Sequence, residues 1–182
     1  MIHNSTTAWG WPSIALHWLG ALLIIALLAH GWWMTHLAPR LDRLANYALH
    51  AALGYDFLAL LILRLLWRWI NPVPVLPGEA WERYAAMTGH IALYVLMFAC
   101  TLTGWALAGT FRSPLARDLL GIDLPPIYQS QDRAMHELFE DSHKILAYLI
   151  AALAVVHVLG ALHHHLIKHN DVLRRMLVGA KS

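Results

Sequence analysis

Charged side chains divide this chain into four long stretches that are almost free of charge. No Asp, Glu, Lys or Arg precedes Arg40, and Asp56 is the one charge between Arg43 and Arg64. None lies between Arg83 and Arg112, or between Lys144 and Lys168. The apolar stretches at about 13–36, 45–69, 85–110 and 140–168 each supply the ~20 residues that a bilayer crossing needs. Lipid offers backbone amides no partner, so only helices and closed barrels cross it. These runs are continuous rather than alternating, which selects helices. The pattern predicts an all-α membrane protein, a four-transmembrane-helix bundle forming a single membrane domain over 1–182.

The connections agree. The segment "NPVPVLPG" at 71–78 cannot continue a helix, because proline lacks the amide hydrogen and clashes with the preceding turn. The stretch from Arg112 to Arg133 is a long polar connection with room for a short helix, and loops of that length are often functional. The first span has no basic flank before it and no clear small-residue cleavage site, so it reads as a retained helix rather than a removed leader. Composition sharpens the membrane reading: 59% of the 182 residues are hydrophobic and 13% are charged, against about a quarter charged in soluble domains. The net charge of +2 comes without a basic block, which gives no footing for nucleic acid.

Four spans put both termini on one side. With the termini inside, the inner segments carry Arg64, Arg68, Arg83, Lys168, Arg174, Arg175 and Lys181. The outer ones carry Arg40, Arg43, Arg112, Arg117, Arg133 and Lys144, together with Asp42, Asp118, Asp123, Asp132, Glu137, Glu140 and Asp141. The excess of inner cations is slight, and the basic C-terminal tail tips the choice toward cytoplasmic termini. Cys100 is the single cysteine. It excludes an intrachain disulfide, a cysteine-rich zinc site and an iron–sulfur cluster, and any haem would be held without a thioether link.

Histidine is the unusual component, with 13 copies. His143 and His157 lie fourteen residues apart in the fourth span. A helix rises ~1.5 Å and turns ~100° per residue, so they share one face at depths ~21 Å apart. His17, near the inner end of the first span, is level with His157. His50, near the outer end of the second, is level with His143. Two imidazole pairs at two depths inside a bundle are what two bis-histidine haems require. Zinc is a weaker match because it gathers three or four ligands at one point. A haem-free transporter using histidines as relays is a further alternative.

Other residues sort by the same geometry. Arg64 falls fourteen residues after His50, on the same face and near the inner level. A buried arginine in lipid needs a partner, and an inner-haem propionate would serve, with Arg68 as second candidate; a headgroup-facing arginine is the plainer alternative. His164 shares the face of His157 and is placed to reach a propionate, against a plain reading as a snorkelling residue. His90 opens the third span near the inner level, as a supporting residue or a substitute for His17. His30 points away from the face of His17 and reads as structural or interfacial, and His36 and His136 sit at the outer boundary. Lys144, Arg133 and Arg112 are candidates for a positive setting around the outer pair. Position alone assigns no role to Asp56. Most of the 9 tryptophans fall near span ends, as an aromatic belt does. Trp105 is the exception, a core residue or the wall of a cofactor or quinone pocket.

The segments "ALHWLGALL", "HAALGYDFLALLILRLLWR", "GHIALYVLM" and "SHKILAYLIAALAVVHVLGALHHHLIKHNDVLRRM" resemble the bacterial cytochrome b561 family, which includes a superoxide oxidase of the inner membrane. The likeness runs from about Ser13 to Met176 and is weakest in the outer loop. It implies four helices in the bacterial inner membrane, two b-type haems with axial ligands at His17, His50, His143 and His157, and electron exchange with ubiquinone. It further implies superoxide as the outer-side donor. A periplasmic redox protein as donor is the alternative, and the acids of the outer loop suit a basic partner.

Overall fold

The computed structural model describes residues 1–111 and 121–177, without the side chain of Arg40. Four long helices carry the chain: α1 (Trp11–His36), α2 (Arg43–Ile70), α3 (Ala80–Ala108) and α4 (Arg133–Leu166). A short α5 (Val172–Leu177) follows, and a single 3-10 turn at Arg40–Asp42 leads into α2. The four long helices are long and apolar enough to cross a membrane, and no β-strand occurs among the described residues.

The helices start where the local chemistry permits. Pro12 occupies the first turn of α1, where a missing amide hydrogen costs nothing. A reciprocal capping box opens α3: the Glu79 amide donates to Glu82 Oε2 at 2.9 Å, and the Glu79 carboxylate accepts from the backbone in return. Asp132 caps α4 by accepting from the Ala134 amide at 2.8 Å. These caps explain why α3 and α4 begin at Ala80 and Arg133, earlier than the apolar runs expected at 85 and 140. The first turns are polar, so hydropathy does not register them. The first turns of α4 are also held by the i,i+4 pairs Arg133–Glu137 and Glu140–Lys144, both 2.7 Å. Of the outer loop, residues 112–120 lie outside the described residues, and 121–132 contains no helix. The expectations placed on Arg112, Arg117, Asp118 and Lys181 also fall outside.

Neighbours in sequence pack together: α1 on α2, α2 on α3, α3 on α4, with α5 against α4. Neither α1 with α4 nor α2 with α4 forms an extensive backbone contact. The core is Leu27, Phe57 and Leu61, flanked by Leu23, Ile24, Leu53, Tyr94, Met97 and Phe98. It forms an apolar layer midway along the bundle, with Phe57 only 2% exposed. The outward faces are equally apolar: Leu22, Ile25 and Val156 stay 63%, 59% and 62% exposed. Such faces suit lipid, where helices associate through packing rather than through the hydrophobic effect.

The end of the bundle that carries the N-terminus is closed by polar contacts. Asn4 is buried. Its Oδ1 accepts from the Gly10 amide at 2.8 Å and from Ser13 Oγ at 2.7 Å, and its Nδ2 donates to the Pro72 carbonyl at 2.9 Å. The N-terminal segment is thereby tied to the start of α1 and the end of α2. Lys168 Nζ meets the buried carboxylate of Glu82 at 3.1 Å, joining the end of α4 to the start of α3.

Candidate functional site

The histidines chosen by helical spacing meet in two pairs. His17 of α1 faces His157 of α4, with ring centres 6.2 Å apart and planes at 68°. His50 of α2 faces His143 of α4, with ring centres 6.1 Å apart and planes at 88°. Each pair joins two helices without extensive backbone contact, so the imidazoles reach across the interior of the bundle. The Leu27–Phe57–Leu61 core belongs to α1 and α2 segments between the two levels.

Hydrogen bonding separates the rings. His143 Nδ1 donates to the Cys100 carbonyl at 2.8 Å. A proton on Nδ1 leaves Nε2 as the free lone pair, the arrangement by which a carbonyl orients a metal-binding imidazole. The Nδ1 atoms of His17, His50 and His30 are buried without a hydrogen-bond partner among the described residues. With no hydrogen bond holding Nδ1, the tautomer of these rings is not set by a neighbour, and Nε2 can serve as the lone pair that a metal takes.

Arg64 reaches the inner pair. Its guanidinium carbon lies 5.7 Å from the centre of the Tyr94 ring, and its charge is felt by both His17 and His157. Gly20 of α1 borders it: a Cβ there would stand 4.0 Å from one of its terminal nitrogens. No carboxylate is paired with Arg64 among the described residues. A cation at membrane depth pairs with an anion or with backbone carbonyls, so this position suits an anionic group.

The remaining expectations resolve individually. His90 lies against His157, with ring centres 5.2 Å apart, and so belongs to the inner cluster. His164 accepts on Nδ1 from Asn170 Nδ2 at 2.9 Å, which leaves its Nε2–H free to donate. His136 pairs with Thr110 at 2.6 Å and approaches Glu140 at 3.6 Å. Trp105 packs edge-on to Tyr55, ring centres 5.6 Å apart. Arg133 and Lys144, expected to lend the outer pair positive charge, are each bound to a glutamate on their own helix.

Sequence spacing missed four residues. His30 is not merely structural at the lipid boundary: it stacks on His50 at 5.8 Å with planes at 22°. The test of shared face with His17 could not find it, because its neighbour lies on α2. Gly31 and Gly104 border the His50 and His143 rings, and Cys100 supplies the carbonyl already described. Their roles depend on helix register, which leaves no mark in the linear pattern. Among the described residues, no cluster of three or more His, Cys, Asp or Glu side chains could hold a metal ion.

A membrane bundle whose interior carries pairs of opposed imidazoles belongs to the class of helical electron carriers that hold metal cofactors within the bilayer. More specifically, the family model for prokaryotic cytochrome b561 matches residues 8–179, and the chain belongs to that family. It is therefore a multi-pass membrane electron-transfer protein, and its family binds b-type haem. "Cytochrome b561 homolog 2" of Escherichia coli is 32% identical over 190 residues, covering 98% of this chain and 96% of that protein. "Cytochrome b561 homolog 1" of the same organism is 29% identical, covering 90% and 93%. A protein named "Probable superoxide oxidase CybB" from Yersinia pestis is 27% identical, covering 90% and 92%.

The residues present fit haem. A metal–imidazole bond is about 2 Å, and the ring centre lies roughly 1.1 Å behind its nitrogen. Two imidazoles on opposite faces of one iron thus bring their centres about 6.3 Å apart. The separations of 6.2 and 6.1 Å match that requirement. The 5.2 Å between His90 and His157 is too short for it. Arg64 is the cation that an anionic propionate would seek.

Proposed function

We propose that this chain is a di-haem b-type cytochrome of the bacterial inner membrane that transfers electrons from superoxide on the outer side to ubiquinone. The ring spacing of the two histidine pairs carries the proposal. A haem held by imidazole on both faces supplies a one-electron couple at its edge and offers no open coordination position to oxygen. Under this reading, His17 and His157 would hold the inner haem, and His50 and His143 the outer one. Arg64 balances a propionate of the inner haem. His164 is available to donate from Nε2 to the other propionate, and His90 packs on His157 and holds its ring.

The overall reaction balances with two superoxide anions. Each loses one electron and leaves as dioxygen, while the quinone takes two electrons and two protons to become the quinol. Both termini lie on the cytoplasmic side, with Arg174 and Arg175 of α5 at the inner rim. The superoxide donor rests on the family resemblance and on the name of the Yersinia relative.

A second reading has an observation of its own. The ion pairs Arg133–Glu137 and Lys144–Glu140 occupy cations that would otherwise draw in a small anion. An acid-rich outer end suits a basic periplasmic redox protein as donor. One experiment separates the readings. Purified protein is analysed for haem as its pyridine haemochrome, then exposed to a superoxide flux with a soluble ubiquinone analogue. Two b haems per chain and partner-free quinol formation support the superoxide reading. Two haems without that activity shift the donor to a protein partner, and fewer than two haems overturn the di-haem assignment.

A further inference from the structure

The outer histidine pair is held by two helices that contribute none of its members. On α3, a Cβ at Gly104 would stand 2.9 Å from His143 Cε1 and 3.1 Å from its Nδ1. One turn earlier, the Cys100 carbonyl accepts from that same Nδ1 at 2.8 Å. The ring edge is thus gripped twice, by a directional hydrogen bond and by a backbone surface that only glycine leaves open. Turning the ring about its Cβ–Cγ bond would break the first contact and alter the second. On α1, a Cβ at Gly31 would stand 3.2 Å from His50 Cε1. The preceding residue, His30, lays its ring parallel to His50 at 5.8 Å and is backed by Trp33 at 5.8 Å and 25°. His50 Nδ1 has no hydrogen bond among the described residues, so stacking and the glycine surface set its plane instead.

The consequence is the 88° between the two ring planes. The inner pair stands at 68°, and among the described residues no glycine would bring a Cβ within 4 Å of His17 or His157. We infer that His30–Gly31 of α1 and Cys100–Gly104 of α3 are two seats that fix the His50 and His143 planes at right angles and so set the electronic character of the outer haem. The inference rests on the reading of His50 and His143 as axial ligands. In a low-spin ferric haem, parallel imidazoles split the two π-type iron orbitals. Perpendicular ones cancel that splitting, giving a more axial resonance with a high low-field g value. The outer haem should therefore be the more axial of the two. The hydrogen bond at His143 Nδ1 raises that ligand's basicity. The seats are positioning devices, separate from any group that donates or accepts electrons.

The test uses purified holoprotein carrying Gly104→Ala, Gly31→Ala, His30→Ala or His30→Phe. Haem content, the low-field g value of each ferric haem and the midpoint potential of each haem are read at one pH. Gly104→Ala should lower the outer g value and move the outer potential while the inner haem is unchanged. Gly31→Ala should do the same to a smaller extent, because its added methyl meets the ring less closely. His30→Ala should shift the outer signal, and His30→Phe, which keeps the stack, should restore it. Selective loss of the outer haem in Gly104→Ala also supports the seat. If that variant loses both haems, Gly31→Ala and the His30 pair decide. Both haems with an unshifted outer g value and potential in those variants would overturn the inference, as would a wild-type outer haem with the signature of parallel rings. Retention of the outer haem in His50→Ala would instead refute the ligand assignment beneath it.

Discussion

Arg64 shows how one side chain ties the fold to its chemistry. It stands on a membrane-spanning helix, within electrostatic reach of His17 and His157 and without a carboxylate partner among the described residues. A unit charge roughly 8 Å from a redox centre, at an effective dielectric of about 20, is worth about 2 kcal/mol. A nearby cation favours the reduced, less positive haem. Arg64→Leu is therefore expected to lower the inner midpoint potential by an amount of that order and leave the outer one in place, as a redox titration would read. The ligand assignment makes a sharper prediction. His50→Ala or His143→Ala should remove the outer haem alone, and His17→Ala or His157→Ala the inner alone, counted as pyridine haemochrome. A His17→Ala protein that keeps both haems would transfer that ligand role to His90, which would first have to draw back from its 5.2 Å contact with His157.

Among the elements, α4 does the most. Its 34 residues span ~51 Å, well beyond the ~30 Å hydrocarbon core. The excess at the outer end carries the Asp132 cap and the Arg133–Glu137 and Glu140–Lys144 pairs. The apolar part carries His143 and His157, which meet partners from α2 and α1 respectively. At the inner end, the N-terminal segment is an element in its own right, organised on buried Asn4. Asn4→Ala would strand the Gly10 amide and Ser13 hydroxyl that it now satisfies. The expected cost is about 1–3 kcal/mol, visible as a lower unfolding temperature in detergent with the haem content in the cold unchanged.

For the whole molecule, the question is how a donor arrives. A concentrated positive field would raise the arrival rate of a small anion and make it fall steeply with salt. Here Arg133 and Lys144 are neutralised within α4. If superoxide is the donor, as proposed, the rate of its consumption is therefore expected to depend only weakly on ionic strength. A steep decline on going from low to physiological salt in a stopped-flow measurement would show that other outer cations steer the reaction. The same whole-molecule view explains the exposed apolar surface: helices this sparsely buried need lipid as their solvent.

Much of this was legible in the linear chain. The four spans follow from where charge is absent, because lipid penalises every charged group on any fold. The pairing of depths follows from helical rise and rotation, which act within one helix without reference to its neighbours. Where the polar caps at Glu79 and Asp132 lengthen α3 and α4, hydropathy was silent because those turns lie beyond the apolar runs. Which ring faces which glycine was not legible at all. His30 reads as peripheral on α1 alone and becomes the stacking partner of His50 only once α1 and α2 pack. Gly31, Cys100 and Gly104 carry no chemical signature along the chain. The sequence by itself determined a four-span all-α protein and the histidines that can meet. Tertiary structure decided their ring angles, the Arg64 setting and the two seats, because these depend on the register and rotation between helices. Those quantities arise from close packing across segments distant in sequence, and no periodicity within one segment encodes them.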